Sequence, residues 1–201
     1  MKIFLAATLA LICSTGSAQH FYNNNPVAKY WVDSVYNSLT KQQRIAQLMV
    51  VRLSEKTPGG VNFRDAQVRS LIQQYNIGAI CLFQGGPVQQ VTLVNEFQKL
   101  AQTPLMICID GETGLGMRMT DSVMKFPDQL TLGAVQDADL IYRVGKAIGE
   151  QCKRAGIAVN YAPVVDINNN PNNPVINFRS FGEDKYRVAA LGTQIMKGMQ
   201  D

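Results

Sequence analysis

Short apolar runs alternating with segments of helical spacing constrain this chain more than any other feature. Residues 79–83 and 105–109 are too short for helices and lie between asparagine, glycine or proline signals, so each reads as a strand buried on both faces. A segment with apolar residues three and four apart precedes each run. Val68, Leu71 and Ile72 mark the first over residues 64–75, closed by Asn76-Ile77-Gly78; Val91, Val94, Phe97 and Leu100 mark the second, started by Gly85-Gly86-Pro87. Upstream, Thr40 with Gln43 fits a capping box, and Ile45, Leu48 and Met49 lead from that helix into a first strand at Val50 and Val51. A polar, glycine-containing loop follows.

The alternation continues beyond the second run. Residues 126–134 read as a connection, residues 137–155 as a long amphipathic helix ended by Gly156, and residues 157–165 as another strand that delivers Asp166 at its C-terminal end. A last helix begins after Asp184, with Val188, Leu191, Ile195 and Met199 on one side. Repeated strand and helix units imply parallel strands joined by right-handed crossovers, which leaves a doubly wound open sheet and a (β/α) barrel to weigh. Barrels place functional residues at the C-terminal ends of several strands, and Asp110 and Asp166 both fall there. The expected fold is therefore α/β, the N-terminal portion of a (β/α)8-type (TIM-like) barrel, about half by strand count and incomplete at residue 201.

Two stretches carry the chemistry. In PLMICIDGETGLGMR, residues 104–118, Asp110 closes a strand, glycines let the backbone approach a ligand, and Glu112 and Arg118 add charge of both signs. That arrangement suits a polar cup for hydroxyls; it also suits a tight turn capped by Asp110. The glycines lack G-x-G-x-x-G spacing and no P-loop lysine follows, so nucleotide binding has little support. In NNNPNNPVINFRSFGED, residues 168–184, asparagine and proline hold the chain irregular over the same face. Arg179 within it can fork onto a ligand carboxylate, an acetamido oxygen or paired hydroxyls, or stay a solvated loop charge.

Composition narrows the classes. With 46% hydrophobic and 17% charged residues over 201 positions, the chain can bury a core. Residues 1–18 have the form of a secretory signal peptide: Lys2, an apolar stretch over 3–13, and Gly16-Ser17-Ala18 before Gln19. That stretch falls short of the roughly 20 residues a spanning helix needs. Acylation at Cys13 is a weaker alternative, because bulky Ile12 precedes it. Residues 19–39 follow as a lead-in, exposed over 21–29, and a helix that begins at Tyr30 and carries Trp31, Val35 and Leu39. Residues 40–201 form the domain. The net charge of +4 gives no footprint for nucleic acid, and no basic run with interleaved aromatics occurs. Cys81, Cys108 and Cys152 read as free thiols without disulfide framework or zinc spacing, and nothing calls for a metal or cofactor. His20, beside the expected cleavage site, is a poor catalytic candidate.

Taken together, IDGETGLGMRMTD, FPDQLTLGA and GIAVNYAPVVDINNNPNNPVINFRSFGED resemble the N-terminal barrel domain of family 3 glycoside hydrolases over most of residues 40–201. NPVINFRSFGED is closer to the β-N-acetylhexosaminidase branch than to the β-glucosidases. The resemblance implies an exported retaining glycosidase acting on β-linked N-acetylhexosamine in cell-wall or chitin-like glycans. It implies that Asp110 accepts hydrogen bonds from the hydroxyls of the sugar to be cleaved and that Arg118 and Arg179 bind substrate, with Asp166 supporting the arginine loop. The family's lysine-histidine pair, acid/base histidine and nucleophilic aspartate match nothing in this sequence and are expected beyond residue 201. On that reading no catalytic residue lies within these 201 residues. A β-glucosidase of the same family and a non-catalytic carbohydrate-binding remnant are the alternatives.

Overall fold

The computed structural model describes residues 25–119 and 121–201. The stretch over residues 1–18 expected to be a leader, Cys13 and His20 lie outside them. The described residues divide into two compact units, 25–38 and 39–201. In the first, helix α1 (Pro26–Ser38) starts earlier than the periodicity at Tyr30 suggests. Pro26 sits at the first helical position, where no N–H is needed, and Asn25 Oδ1 accepts from the Val27 N–H at 3.0 Å.

The second unit opens with α2 (Lys41–Ala46), capped as its sequence predicts. Thr40 Oγ1 accepts from the Gln43 N–H at 3.3 Å, and Gln43 Oε1 accepts from the Thr40 N–H at 3.0 Å. From there the chain runs through β1 (Val50–Arg52), a hairpin of β2 (Ser54–Thr57) and β3 (Gly60–Phe63), α3 (Asp65–Tyr75), β4 (Ala79–Leu82), α4 (Pro87–Leu100) and β5 (Met106–Ile109). After the glycine-rich loop come α5 (Gln129–Gly133), α6 (Ala138–Arg154), β6 (Val159–Asn160) and α7 (Lys185–Gln200). Strands β1, β4, β5 and β6 form a parallel sheet in that order, the partial barrel that the sequence pattern predicts.

Alternation along the strands divides the core. Ile80, Leu82, Ile107 and Ile109 point outward and pack with Val68 and Ile72 of α3 and Val94 and Phe97 of α4. Phe97 is fully buried, and a side chain of its kind contributes about 1.5–3 kcal/mol by leaving water. The opposite, inner face carries the smaller Ala79, Cys81 and Cys108, with Phe83 and Val159 against them. Cys81, Cys108 and Cys152 are free and buried.

Two sequence expectations are corrected. The polar loop after β1 is the antiparallel β2–β3 hairpin, with Ser54 opposite Phe63 and Thr57 opposite Gly60. The strand expected over residues 157–165 pairs only at Val159 and Asn160. β6 has one neighbour in the described sheet, and Pro163 has no N–H to give a ladder, so Asp166 follows an irregular stretch instead of ending a strand.

Helices α6 and α7 approach closely through glycines. A Cβ at Gly145 would stand 2.4 Å from the Ile195 carbonyl oxygen, and one at Gly198 would stand 2.2 Å from that of Tyr142. Leu132, Ile141, Phe181, Val188, Leu191 and Ile195 form a second cluster beside this contact.

Candidate functional site

The register aligns Arg52, Cys81, Cys108 and Val159 across the sheet and sets Leu82, Ile109 and Asn160 level with one another. One residue further on, Phe83, Asp110 and Tyr161 emerge from adjacent strands. Together with Val50, Arg52 and Cys81 they line an open concavity of about 640 Å³ at the C-terminal end of the sheet. This is where parallel α/β folds bind ligands, because the loops there are free to vary while the strands stay fixed.

Asp110 and Arg118 are brought into direct contact. Arg118 Nη2 donates to Asp110 Oδ2 at 2.5 Å, and Arg118 Nε donates to the Asp110 main-chain oxygen at 2.6 Å. The loop between them turns at Gly114, whose φ of 81° favours glycine, and continues into a short 3-10 turn at Leu115–Met117. Gln151 of α6 braces this turn: its Oε1 accepts from the Leu115 N–H at 3.2 Å and its Nε2 donates to the Met124 carbonyl at 3.1 Å. The Arg118 guanidinium lies 4.9 Å from the centroid of Phe83. The Asp110 side chain stays 32% exposed, and among the described residues its Oδ1 is left unbonded.

Arg179 is organised by Glu112. Its Nε reaches Glu112 Oε2 at 2.9 Å and Oε1 at 3.1 Å, its Nη2 reaches Oε1 at 2.7 Å, and its Nη1 donates to the Val175 carbonyl at 3.1 Å. The Glu112 side chain is only 4% exposed, against 32% for Arg179. Hydrogen bonding to Glu112 holds the Arg179 pKa above the ordinary arginine value, with the nearby Asp110 and Asp166 carboxylates adding to the effect. Glu112 is thus the buried anchor that carries the arginine loop across to the strand-end loop.

Asp166 acts on that loop through its backbone. Its carbonyl accepts from Ser180 Oγ at 2.6 Å, and the Asp166 side chain is exposed. Gln129 supports the same region: with its amide oriented to satisfy both ends, it donates to the Arg179 carbonyl at 2.5 Å and accepts from the Val164 N–H at 2.9 Å.

Two contributors escaped the sequence reading. Asn160 grips the main chain of Gly111 from β6, and Arg52 closes β1 at the rim of the concavity. The first could have been suspected from a lone amide inside an apolar strand run, the second from a charge ending one. Among the described residues no cluster of three or more histidine, cysteine, aspartate or glutamate side chains forms a metal site, and no helix is long and apolar enough to cross a membrane.

Residues 40–201 match the profile described as the Glycosyl hydrolase family 3 N terminal domain. The chain is similar to beta-hexosaminidase A of Pseudoalteromonas piscicida, with 37% identity over 146 residues covering 67% of this chain and 24% of that protein. It is 25% identical over 170 residues to a beta-N-acetylglucosaminidase/beta-glucosidase of Cellulomonas fimi, covering 85% of this chain and 29% of that one. Among solved structures, a glycoside hydrolase family 3 beta-N-acetylglucosaminidase from Paenibacillus sp. str. FPU-7 superposes with a TM-score of 0.71 at 37% identity, over 81% of this chain and 31% of that one. The chain thus spans between 24% and 31% of the length of each of these proteins. By the profile match and these likenesses, the chain belongs to glycosyl hydrolase family 3, and the part matched is that family's N-terminal domain.

Proposed function

We propose that this chain is the N-terminal part of an exported, retaining glycosidase that removes terminal β-linked N-acetylhexosamine from cell-wall or chitin-like glycans. The observation that carries the reading is the half-buried Asp110 carboxylate at a strand end, steadied by Arg118 through Oδ2 while Oδ1 stays open to the concavity. A carboxylate so held accepts hydrogen bonds from vicinal sugar hydroxyls, and charge-assisted bonds of this kind contribute roughly 1.5–3 kcal/mol each. Arg118 and Arg179 supply donors at the edge of the same site, and Asp166 supports the loop that carries Arg179. The name of the relative from Pseudoalteromonas piscicida favours a hexosamine, and that of the Paenibacillus structure an N-acetylated one.

Retention requires a nucleophilic carboxylate that forms a covalent glycosyl-enzyme and a second group that protonates the leaving oxygen. Both are assigned to sequence beyond residue 201, so residues 1–201 alone are expected to bind sugar weakly and hydrolyse nothing. Export is assigned to residues 1–18. A β-glucosidase is the second reading, favoured by the double name of the Cellulomonas fimi relative.

Hydrolysis of matched aryl β-N-acetylglucosaminide and aryl β-glucoside by the native full-length protein tests the assignment. Faster cleavage of the N-acetylated substrate is expected. Faster cleavage of the glucoside transfers the assignment to the β-glucosidase reading, and cleavage of neither overturns both.

A further inference from the structure

Three arginines gather around Asp110, and two of them are already neutralised. Arg118 is paired with Asp110 itself, and Arg179 with the buried Glu112. Arg52 is different. It ends β1, lines the same concavity as Asp110, and makes no ion pair among the described residues. Glu55, the carboxylate nearest to it in sequence, is taken by Arg64, whose Nε and Nη2 reach its two oxygens at 3.1 and 2.7 Å.

The Arg52 guanidinium lies 4.5 Å from the centroid of Phe83, the ring that Arg118 also approaches at 4.9 Å. A ring face attracts the cation and holds it in place but accepts none of its in-plane N–H bonds. Arg52 is therefore held by the ring, exposed to solvent, with no ion-pair partner among the described residues. Among the described residues the concavity is lined by one guanidinium, Arg52, and one carboxylate, Asp110, and Arg118 already pairs with that carboxylate, so the charge of Arg52 is left uncompensated there. Low-dielectric walls strengthen the pull of such a charge on an incoming anion. A neutral sugar seated on Asp110 would offer Arg52 hydroxyl oxygens alone, whereas an oxyanion would meet its fork with opposite charge.

We propose that Arg52 is a specificity-determining residue that selects a glycan whose bound sugar carries an oxyanion, sulfate or carboxylate. The inference rests on the assignment of this concavity as a sugar site and narrows the substrate to an acidic glycan. A planar guanidinium matches either oxyanion through two parallel N–H bonds, so the geometry names their shared chemistry and experiment separates them.

The test uses the native full-length protein and calorimetric dissociation constants for two pairs: N-acetylglucosamine 6-sulfate against N-acetylglucosamine, and glucuronic acid against glucose. At least one acid is expected to bind about tenfold more tightly than its neutral parent at low salt, as one new charge-assisted contact allows. The pair that shows the preference identifies the anion. Arg52→Met should abolish the preference and Arg52→Lys should retain part of it, while rising ionic strength should erode it in the native protein. The ratio of two affinities within one variant does not depend on how much of that variant is folded. Equal binding of acids and parents, or a preference that survives in Arg52→Met, overturns the proposal. Failure to cleave either aryl glycoside would remove the glycosidase assignment, and the affinity ratios would still decide the role of Arg52.

Discussion

Asn160 holds both polar groups of the Gly111 main chain. Its Oδ1 accepts from the Gly111 N–H at 3.0 Å, and its Nδ2 donates to the Gly111 carbonyl at 3.1 Å. Gly111 is buried and directly follows Asp110, so this amide on β6 fixes where the Asp110 carboxylate leaves β5. Asn160→Ala leaves the buried Gly111 N–H unpaired, at a cost of about 1–3 kcal/mol, while the Gly111 carbonyl keeps the Gly114 N–H at 3.0 Å. A lower urea midpoint and weaker sugar binding are expected together. Asn160→Asp keeps the shape but sets a carboxylate oxygen against the Gly111 carbonyl, so it should rescue neither measurement. Rescue by Asp would show that shape alone suffices.

Glu112 is an anchor for Arg179, and its substitution should behave accordingly. Glu112→Gln keeps the volume and removes the charge that the Arg179 fork meets on two oxygens. Breaking a fully buried pair costs several kcal/mol, but Arg179 is about one-third exposed, so a loss of about 1–3 kcal/mol is expected. Residues 168–184 should become more sensitive to limited proteolysis, and substrate affinity of the full-length enzyme should fall. A large fall in kcat with unchanged KM and unchanged stability would instead mark Glu112 as a proton donor.

The α6–α7 contact reverses the usual effect of replacing glycine in a helix. Alanine is normally better than glycine inside a helix by about 1 kcal/mol. At Gly198 the added Cβ would stand 2.2 Å from the Tyr142 carbonyl oxygen and 2.7 Å from the Lys146 nitrogen, both backbone atoms that move only with the helix. Gly198→Ala should therefore destabilise the domain by about 1–3 kcal/mol, the range for overpacking. Thermal melting decides the sign, and a raised midpoint would mean that the helices can separate without loss.

Much of the frame was legible in the sequence because its signals are local. The apolar runs around Ile80 and Ile107, the Thr40 capping box, and the turn at Asn76, which adopts φ 54° and ψ 56°, depend on neighbours in sequence. The β2–β3 hairpin was hidden because Ser54–Thr57 has no apolar residue and Gly60–Phe63 has only two, although Pro58-Gly59 between them is a turn signal. β6 was overextended because an apolar run does not state how many neighbours it will pair with. In the site, Asp110 and Arg118 were legible as strand-end and loop charges. Their ion pair is local, eight residues apart, whereas the Arg179–Glu112 fork closes over 67 residues and the Asn160–Gly111 clamp over 49. Pairings of that span are set by the packing of strand on strand, which residue spacing does not encode.

The buried thiols give the domain an alkaline liability. Burial is the main cause that pushes Cys81 and Cys152 up to about 11 from an ordinary 9.0; for Cys81 the neighbouring Cys108 and Asp110 add to it. In the unfolded chain these thiols lose their protons near the ordinary value, while the folded chain keeps them to about 11. Between those limits the unfolded state binds fewer protons, so stability is complete below pH 9 and falls as pH rises toward 11. Urea midpoints across this range should fall more steeply for the native protein than for a Cys81→Ala, Cys152→Ala double variant. The same burial should make both thiols slow to react with iodoacetamide at pH 8 unless the chain is first unfolded. Equal slopes in the two proteins, or rapid alkylation of both folded thiols, would place these cysteines in contact with solvent and remove them from the inner and outer packing of the sheet.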